Sequence, residues 1–154
     1  MSTPASHLDP FISTWNRVHQ QTVKLMQTAP SDKFDWKTCE SAMPLGELMN
    51  HLWLGEKFFV SAVLTGEAPK EWPAPINQTD ELIATYEQSH NEAVAQIAAL
   101  TPEQLAESVA PFGPERPLSR QALLNVMNEH EIHHRGQLYT YLRILGVEVP
   151  SLFA

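Results

Sequence analysis

The chain has little of what a disulfide-stabilised, membrane-spanning or nucleic-acid-binding protein needs. Its single cysteine, Cys39, excludes an intrachain disulfide. No stretch approaches the roughly 18 consecutive apolar residues of a membrane span, and the polar first residues do not resemble a signal peptide. Ten basic residues against 18 acidic ones give a net charge of -8, which disfavours binding to nucleic acid or to anionic membranes. We therefore expect a cytoplasmic protein with no nucleic-acid or membrane partner.

Glycine is also scarce, with six residues against twelve prolines, and this ratio indicates firm loops between helices. The 154 residues, of which 43% are hydrophobic, are enough for one domain with its own core, and residues 1–154 are predicted to form it. The sequence contains no internal repeat, no low-complexity run and no strand pair with hairpin chemistry.

Apolar residues recur at helical spacing in four long segments separated by proline-containing loops. Caps and stop signals predict these helices at about 10–28, from Ser41 or Pro44 to about Leu64, from Thr79 to about Ala99, and from about Ser119 to Gly146. A short extra helix is predicted from Thr101 to about Ser108. The predicted fold class is therefore all-α, a four-helix bundle with one short extra helix.

Three of the seven histidines lie in the last predicted helix, at positions 130, 133 and 134. His130 and His134 lie one turn apart on the apolar stripe that includes Met127 and Leu138. His133 lies about 100° away from His134, so it is predicted to be flanking or exposed. Two neutral imidazoles one turn apart form half a site for zinc, nickel or another borderline divalent metal.

A catalytic metal site needs a third protein ligand, which must come from another helix. The remaining histidines are His7, His19, His51 and His90. His51 is predicted as the third ligand because it lies deep in an apolar pattern, one turn after Leu48. His7 precedes the first helix, and His19 and His90 stand next to polar residues. The alternative is that these are hydrogen-bonded core histidines, although an imidazole buried without a partner costs about 1–3 kcal/mol.

Two metal motifs are present only in part. Residues 130–134 fit the H-E-x-x-H of zinc proteases, but Gln137 and Thr140 occupy the glycine and third-histidine positions of its longer form. Two E-x-x-H spacings typical of di-iron bundles end at His90 and His134, but the first predicted helix has no glutamate to complete such a site. Neither class is favoured.

Segments of the last and second predicted helices together resemble one family. His134-Arg135-Gly136-Gln137-Leu138, followed by Leu142-Arg143, Gly146 and Pro150, resembles the C-terminal signature of the DinB/YfiT-like family. Asn50-His51-Leu52-Trp53, followed by Glu56, resembles its first-histidine segment, and the order of the four helices also agrees.

The resemblance implies an up-down-down-up four-helix bundle with a divalent metal ion held by His51, His130 and His134. Members of this family are regarded as metal-dependent hydrolases, or as transferases and isomerases that use bacillithiol, mycothiol or glutathione, and many are dimers. The resemblance therefore implies a zinc- or nickel-dependent thiol S-transferase or hydrolase that acts on a small molecule and forms a homodimer. One alternative is a non-catalytic, stress-related bundle that binds a metal or a small ligand; another is a purely structural role for the histidines.

Three residues are candidates for catalytic roles beside such a metal. Gln137, one turn beyond His134, could hydrogen-bond a ligand or the substrate. Glu131 and Glu47 are candidates for supporting the ligands or transferring protons, although such glutamates are more often solvated surface residues. Gly136 is a further hint, because glycine in mid-helix costs about 1 kcal/mol relative to alanine and is tolerated where a ligand or a neighbouring backbone comes close.

Overall fold

The computed structural model of the chain describes residues 7–153, which are mostly helical. The elements in chain order are α1 (Asp9–Met26), a 3-10 turn (Ser31–Lys33), α2 (Leu45–Thr65), α3 (Thr79–Ala98), α4 (Pro102–Ala106), β1 (Ser108–Val109), β2 (Leu118–Ser119) and α5 (Arg120–Ile144). The predicted bundle of four long helices with one short extra helix is confirmed. Within residues 7–153, no helix combines the length and the apolar character needed to cross a bilayer.

The helix ends follow local chemistry. Thr101 and Gln104 form a capping box at the start of α4, and the Ser119 hydroxyl accepts a backbone N–H from the first turn of α5. Gly66 ends α2 in the left-handed region, at a φ of 83°, which glycine adopts without strain. Helix α1 begins at Asp9, and Pro10 lies in its first turn.

A small antiparallel strand pair, β1 with β2, connects the two ends of the loop between α4 and α5. This minor sheet was not predicted, because the sequence contains no strand pair with hairpin chemistry. Each strand has only two residues, which is too short to show the alternating pattern by which strands are recognised in a sequence.

The four long helices form an up-down-down-up bundle. Helices α2 and α5 are antiparallel, because His51 contacts His134 whereas Gly55, four residues later, faces His130. Helices α2 and α3 run in the same direction. Trp53 of α2 and Thr85 of α3 line one cavity. Leu64 and Gln96, which lie 11 residues further along these two helices, line another. Helix α1 packs against α3 and α5 and completes the bundle.

The core of the bundle consists of two apolar clusters, one at each end. Leu48, Leu82 and Leu138 belong to the first, and Phe59 and Ile97 belong to the second. Between them lies a layer of buried polar residues, which are His19, Thr22, Glu56, His90, Glu131, His134 and Arg135. The buried ionisable side chains are therefore concentrated in the middle of the bundle.

Candidate metal centre

The structure brings together the three histidines that the sequence predicted as metal ligands. The Nε2 atom of His51 lies 3.0 Å from the Nε2 atom of His134 and 3.0 Å from that of His130. One ring nitrogen from each residue lies within 4.8 Å of the other two, a separation that allows all three to ligate one ion. His133 is exposed, as predicted. We refer to this group as the trihistidine site.

The hydrogen bonds of the rings fit a cation. The Nδ1–H of His134 donates to the Oε1 atom of Gln137 over 2.7 Å, which leaves the Nε2 lone pair of neutral His134 directed at the site. A neutral His51 has at most one hydrogen on Nε2, so it can donate to only one of the two nitrogens that face it. A divalent ion would accept all three lone pairs at once.

The electrostatics of the site keep these rings neutral. Burial, together with the neighbouring imidazoles, lowers the pKa of His130 to about 4. Burial also lowers the pKa values of His51 and His134, although Glu47 partly offsets this for His51 and the Gln137 hydrogen bond does so for His134. Metal ligation requires unprotonated imidazole, so at neutral pH the three side chains are in the form that binds a cation.

Gly55 on α2 makes room for the ring of His130. A methyl group built at Gly55 would lie 2.4 Å from Cε1 and 3.0 Å from Nδ1 of that ring, closer than any normal contact. At Gly136, by contrast, an added methyl group would meet no described atom within 4 Å. The explanation of Gly136 by the close approach of a neighbouring backbone was therefore wrong, and the glycine that makes room for a ring of the site is Gly55.

Two cavities of different character meet at the trihistidine site. The first, of about 380 Å³, is lined by His51 and His130 and by the apolar side chains of Leu54, Phe58, Phe59, Trp72 and Phe112. The second, of about 530 Å³, has His51 and Leu54 in its wall together with polar groups from Asp35, Glu47, Asn50 and Asn77. A small molecule at the site would therefore contact aromatic rings on one side of His51, and on the other a mixed wall that contains the carboxylates of Asp35 and Glu47.

The three predicted catalytic candidates occupy different positions. Gln137 is exposed and holds the ring of His134. Glu47 is exposed and lines the polar cavity beside His51. Glu131 is buried, and its carboxyl group lies near the hydroxyls of Thr22 and Tyr86.

A second buried cluster, formed by His19, Glu56 and His90, was missed by the sequence analysis. The Nδ1 atom of His90 donates to Oε2 of Glu56 over 2.8 Å, and the rings of His19 and His90 stack with their centroids 3.7 Å apart. The polar neighbours of both histidines misled the prediction, because adjacent residues on a helix point about 100° apart. The signal was present: Tyr86, His90, Ala93 and Ile97 recur at steps of three and four and are all buried.

Comparison with known sequences relates the whole chain to one family. Residues 1–153 match the DinB family. The uncharacterized Bacillus subtilis protein YjoA is 32% identical over 136 residues, which are 84% of this chain and 85% of YjoA. The uncharacterized B. subtilis protein YrdA is 27% identical over 149 residues, which are 95% of this chain and 87% of YrdA.

Solved structures agree with this relationship. The crystal structure of the DinB-like protein YjoA from B. subtilis matches with a TM-score of 0.77 at 28% identity and covers 94% of this chain and 97% of that one. A DinB-like protein from Bacillus cereus matches with a TM-score of 0.79 at 20% identity, covering 92% and 94% of the two chains, and this likeness concerns the fold alone. Because the family match extends over residues 1–153, the chain belongs to the DinB family.

Proposed function

We propose that His51, His130 and His134 bind zinc or nickel and that the protein is a metal-dependent enzyme. The proposed reaction is the transfer of a low-molecular-weight thiol, of the bacillithiol, mycothiol or glutathione type, or of water, to a small electrophile. The observation that carries the proposal is the convergence of three neutral ring nitrogens where two cavities meet. A bound ion would supply the positive charge that makes a neighbouring thiol or water a stronger acid at neutral pH.

The surrounding residues have separate roles in this proposal. Gln137 positions the ring of His134 through their hydrogen bond. Glu47, exposed beside His51, accepts the proton released by the thiol or water. The aromatic cavity around Phe58 and Phe112 holds the apolar part of the electrophile, and the second cavity, with Asp35 and Glu47 in its wall, holds the amino and hydroxyl groups of the thiol. Glu131 has no part in this reaction, because its carboxyl group contacts residues of α1 and α3 instead.

The proposal is tested by a thiol-transfer assay on zinc-loaded protein without an affinity tag. Glutathione, bacillithiol and mycothiol are each paired with a chromogenic aryl chloride, whose flat ring suits the aromatic cavity. We expect turnover with at least one thiol, loss of turnover after chelation, and recovery when zinc or nickel is restored.

His134→Ala is the informative variant and His133→Ala is its matched control, because the two residues are adjacent but only His134 lies in the trihistidine site. We expect His134→Ala to lose both metal and activity and His133→Ala to keep both. Metal binding without turnover of any thiol or of water would instead favour the non-catalytic binding protein. The homodimer and the cytoplasmic location remain predictions, and light scattering would measure the first.

A further inference from the structure

The buried cluster of His19, Glu56 and His90 lies in the polar layer of the bundle, apart from the trihistidine site. Its three members come from α1, α2 and α3, and each offers a ligand atom within 4.8 Å of the others. All three are at least 95% buried, which is unusual for ionisable side chains. A group of this kind requires compensation from hydrogen bonds, water or an ion.

The hydrogen bonds inside the cluster leave buried atoms without compensation. Glu56 Oε2 accepts from Trp15 over 3.0 Å and from His90 over 2.8 Å, but Glu56 Oε1 has no partner among the described residues. The Nδ1 atom of His19 is also buried without a described partner. Each such atom costs about 1–3 kcal/mol unless something further occupies the space beside it.

The donor set matches a divalent transition metal. Two imidazoles and one carboxylate form the ligand set of several zinc enzymes, and the same donors accept nickel, cobalt and iron(II). Both ring nitrogens of His90 face oxygen acceptors, since Nε2 contacts Asn16 Oδ1 over 2.8 Å. The Nδ1–H of His90 donates to the Glu56 carboxylate, so this nitrogen carries a hydrogen when no ion is bound. An entering cation would replace the proton on Nδ1, which would leave to solvent.

The cluster is reachable from outside although its members are buried. A cavity of about 350 Å³ between α2 and α3 has Glu56 in its wall, with Lys57, Ser89 and Glu92 around it. On the opposite side, a second cavity over α1 reaches Asn16, the partner of His90. The carboxyl group of Glu56 therefore lies between the cluster and the first of these cavities.

We propose that His19, Glu56 and His90 form a second divalent-metal site, separate from the trihistidine site. The uncompensated Oε1 of Glu56 and Nδ1 of His19 carry this inference, together with the cavity that leads to Glu56. In the structure the rings of His19 and His90 are nearly parallel, 3° apart. Ligation of one ion by both requires the two rings to tilt away from this stack.

The test is a count of metal ions per chain. Full-length protein without a tag is stripped with a chelator, loaded with zinc alone, desalted and analysed by mass spectrometry. We expect about two zinc ions per chain for the parent protein and about one for His51→Ala, which removes a trihistidine ligand but leaves the core intact. Anomalous diffraction from zinc-soaked crystals should give a second peak between His19 and Glu56.

Glu56→Gln keeps the size of the side chain but removes the anionic ligand, so it should lower the count by one. Glu92→Gln is the matched control, because Glu92 is exposed at the rim of the same cavity, and it should leave the count unchanged. Circular dichroism verifies that both variants fold. If Glu56→Gln does not fold, His51→Ala alone decides the question. A His51→Ala protein that holds no zinc, or crystals with one peak and an ordered water in the cluster, would overturn the proposal.

Discussion

Replacement of Gly55 by alanine should abolish metal binding at the trihistidine site without unfolding the protein. The added methyl carbon would lie 2.4 Å from Cε1 of His130, whereas carbon atoms normally approach no closer than about 3.5 Å. The ring of His130 must therefore retreat by about 1 Å. Metal–ligand distances tolerate only about 0.2 Å, so we expect zinc affinity to fall by at least about 100-fold.

The stability of Gly55→Ala should change much less than its metal affinity. Alanine favours the helix by about 1 kcal/mol relative to glycine, which offsets part of the roughly 1–3 kcal/mol that overpacking costs. The contact that must yield is the ring of a partly exposed side chain and not backbone. We therefore expect the free energy of unfolding of the metal-free protein to fall by no more than about 2 kcal/mol.

Gly136→Ala is the matched control, because it makes the same change at a mid-helix position with no atom within 4 Å. It should raise Tm by about 2–4 °C and leave zinc affinity unchanged. Isothermal titration calorimetry measures the affinities, and thermal and urea unfolding measure the stabilities. If Gly55→Ala binds zinc as tightly as the parent protein, then either His130 is not a ligand or its ring moves without loss of ligation, and the reasoning fails.

Three further predictions concern the trihistidine site and the buried cluster of His19, Glu56 and His90. Gln137→Ala should weaken zinc binding by about 10–100-fold in calorimetry, because the ring of His134 loses the acceptor that fixes its tautomer. Unchanged affinity would show that Gln137 does not position His134. Because burial lowers the pKa of His130 to about 4, zinc affinity should change by less than about twofold between pH 8 and pH 7 and should fall as the pH drops towards 4. A tenfold change in zinc affinity between pH 8 and pH 7 would contradict the lowered pKa of His130. Trp15→Phe removes a donor to Glu56 and should lower the free energy of unfolding in urea by about 1–3 kcal/mol; equal stability would mean that another donor replaces it.

The trihistidine site could be predicted because its information is local. His130 and His134 share a helical stripe with Met127 and Leu138, and His51 lies in a similar stripe on α2. Helical periodicity places such residues on one face, and a four-helix bundle brings apolar faces together. The resemblance to the DinB/YfiT-like family selected the same three residues, and the structure places them around a single point.

The second cluster was harder to recognise, because each of its three members comes from a different helix and it contains no pair one turn apart such as His130 and His134. Glu56 and His90 are 34 residues apart, and nothing near either residue indicates its partner. Glu56 follows Gly55 in a helix rich in apolar residues, where a lone glutamate is normally placed on the solvent side. The burial of Glu131 was missed for a related reason, since its position between two histidines suggested a role at the metal.

The imidazole of His51 lines two cavities, one walled by aromatic rings and the other containing the carboxylates of Asp35 and Glu47. A flat hydrocarbon fragment would bind in the aromatic cavity and a cationic fragment beside the carboxylates. Because His51 lines both cavities, a short tether could join the two fragments. Such a tether raises the effective concentration of the second fragment to about the millimolar range, so two weak binders combine into a strong one. A ligand for this site is best assembled from these two halves, linked beside His51.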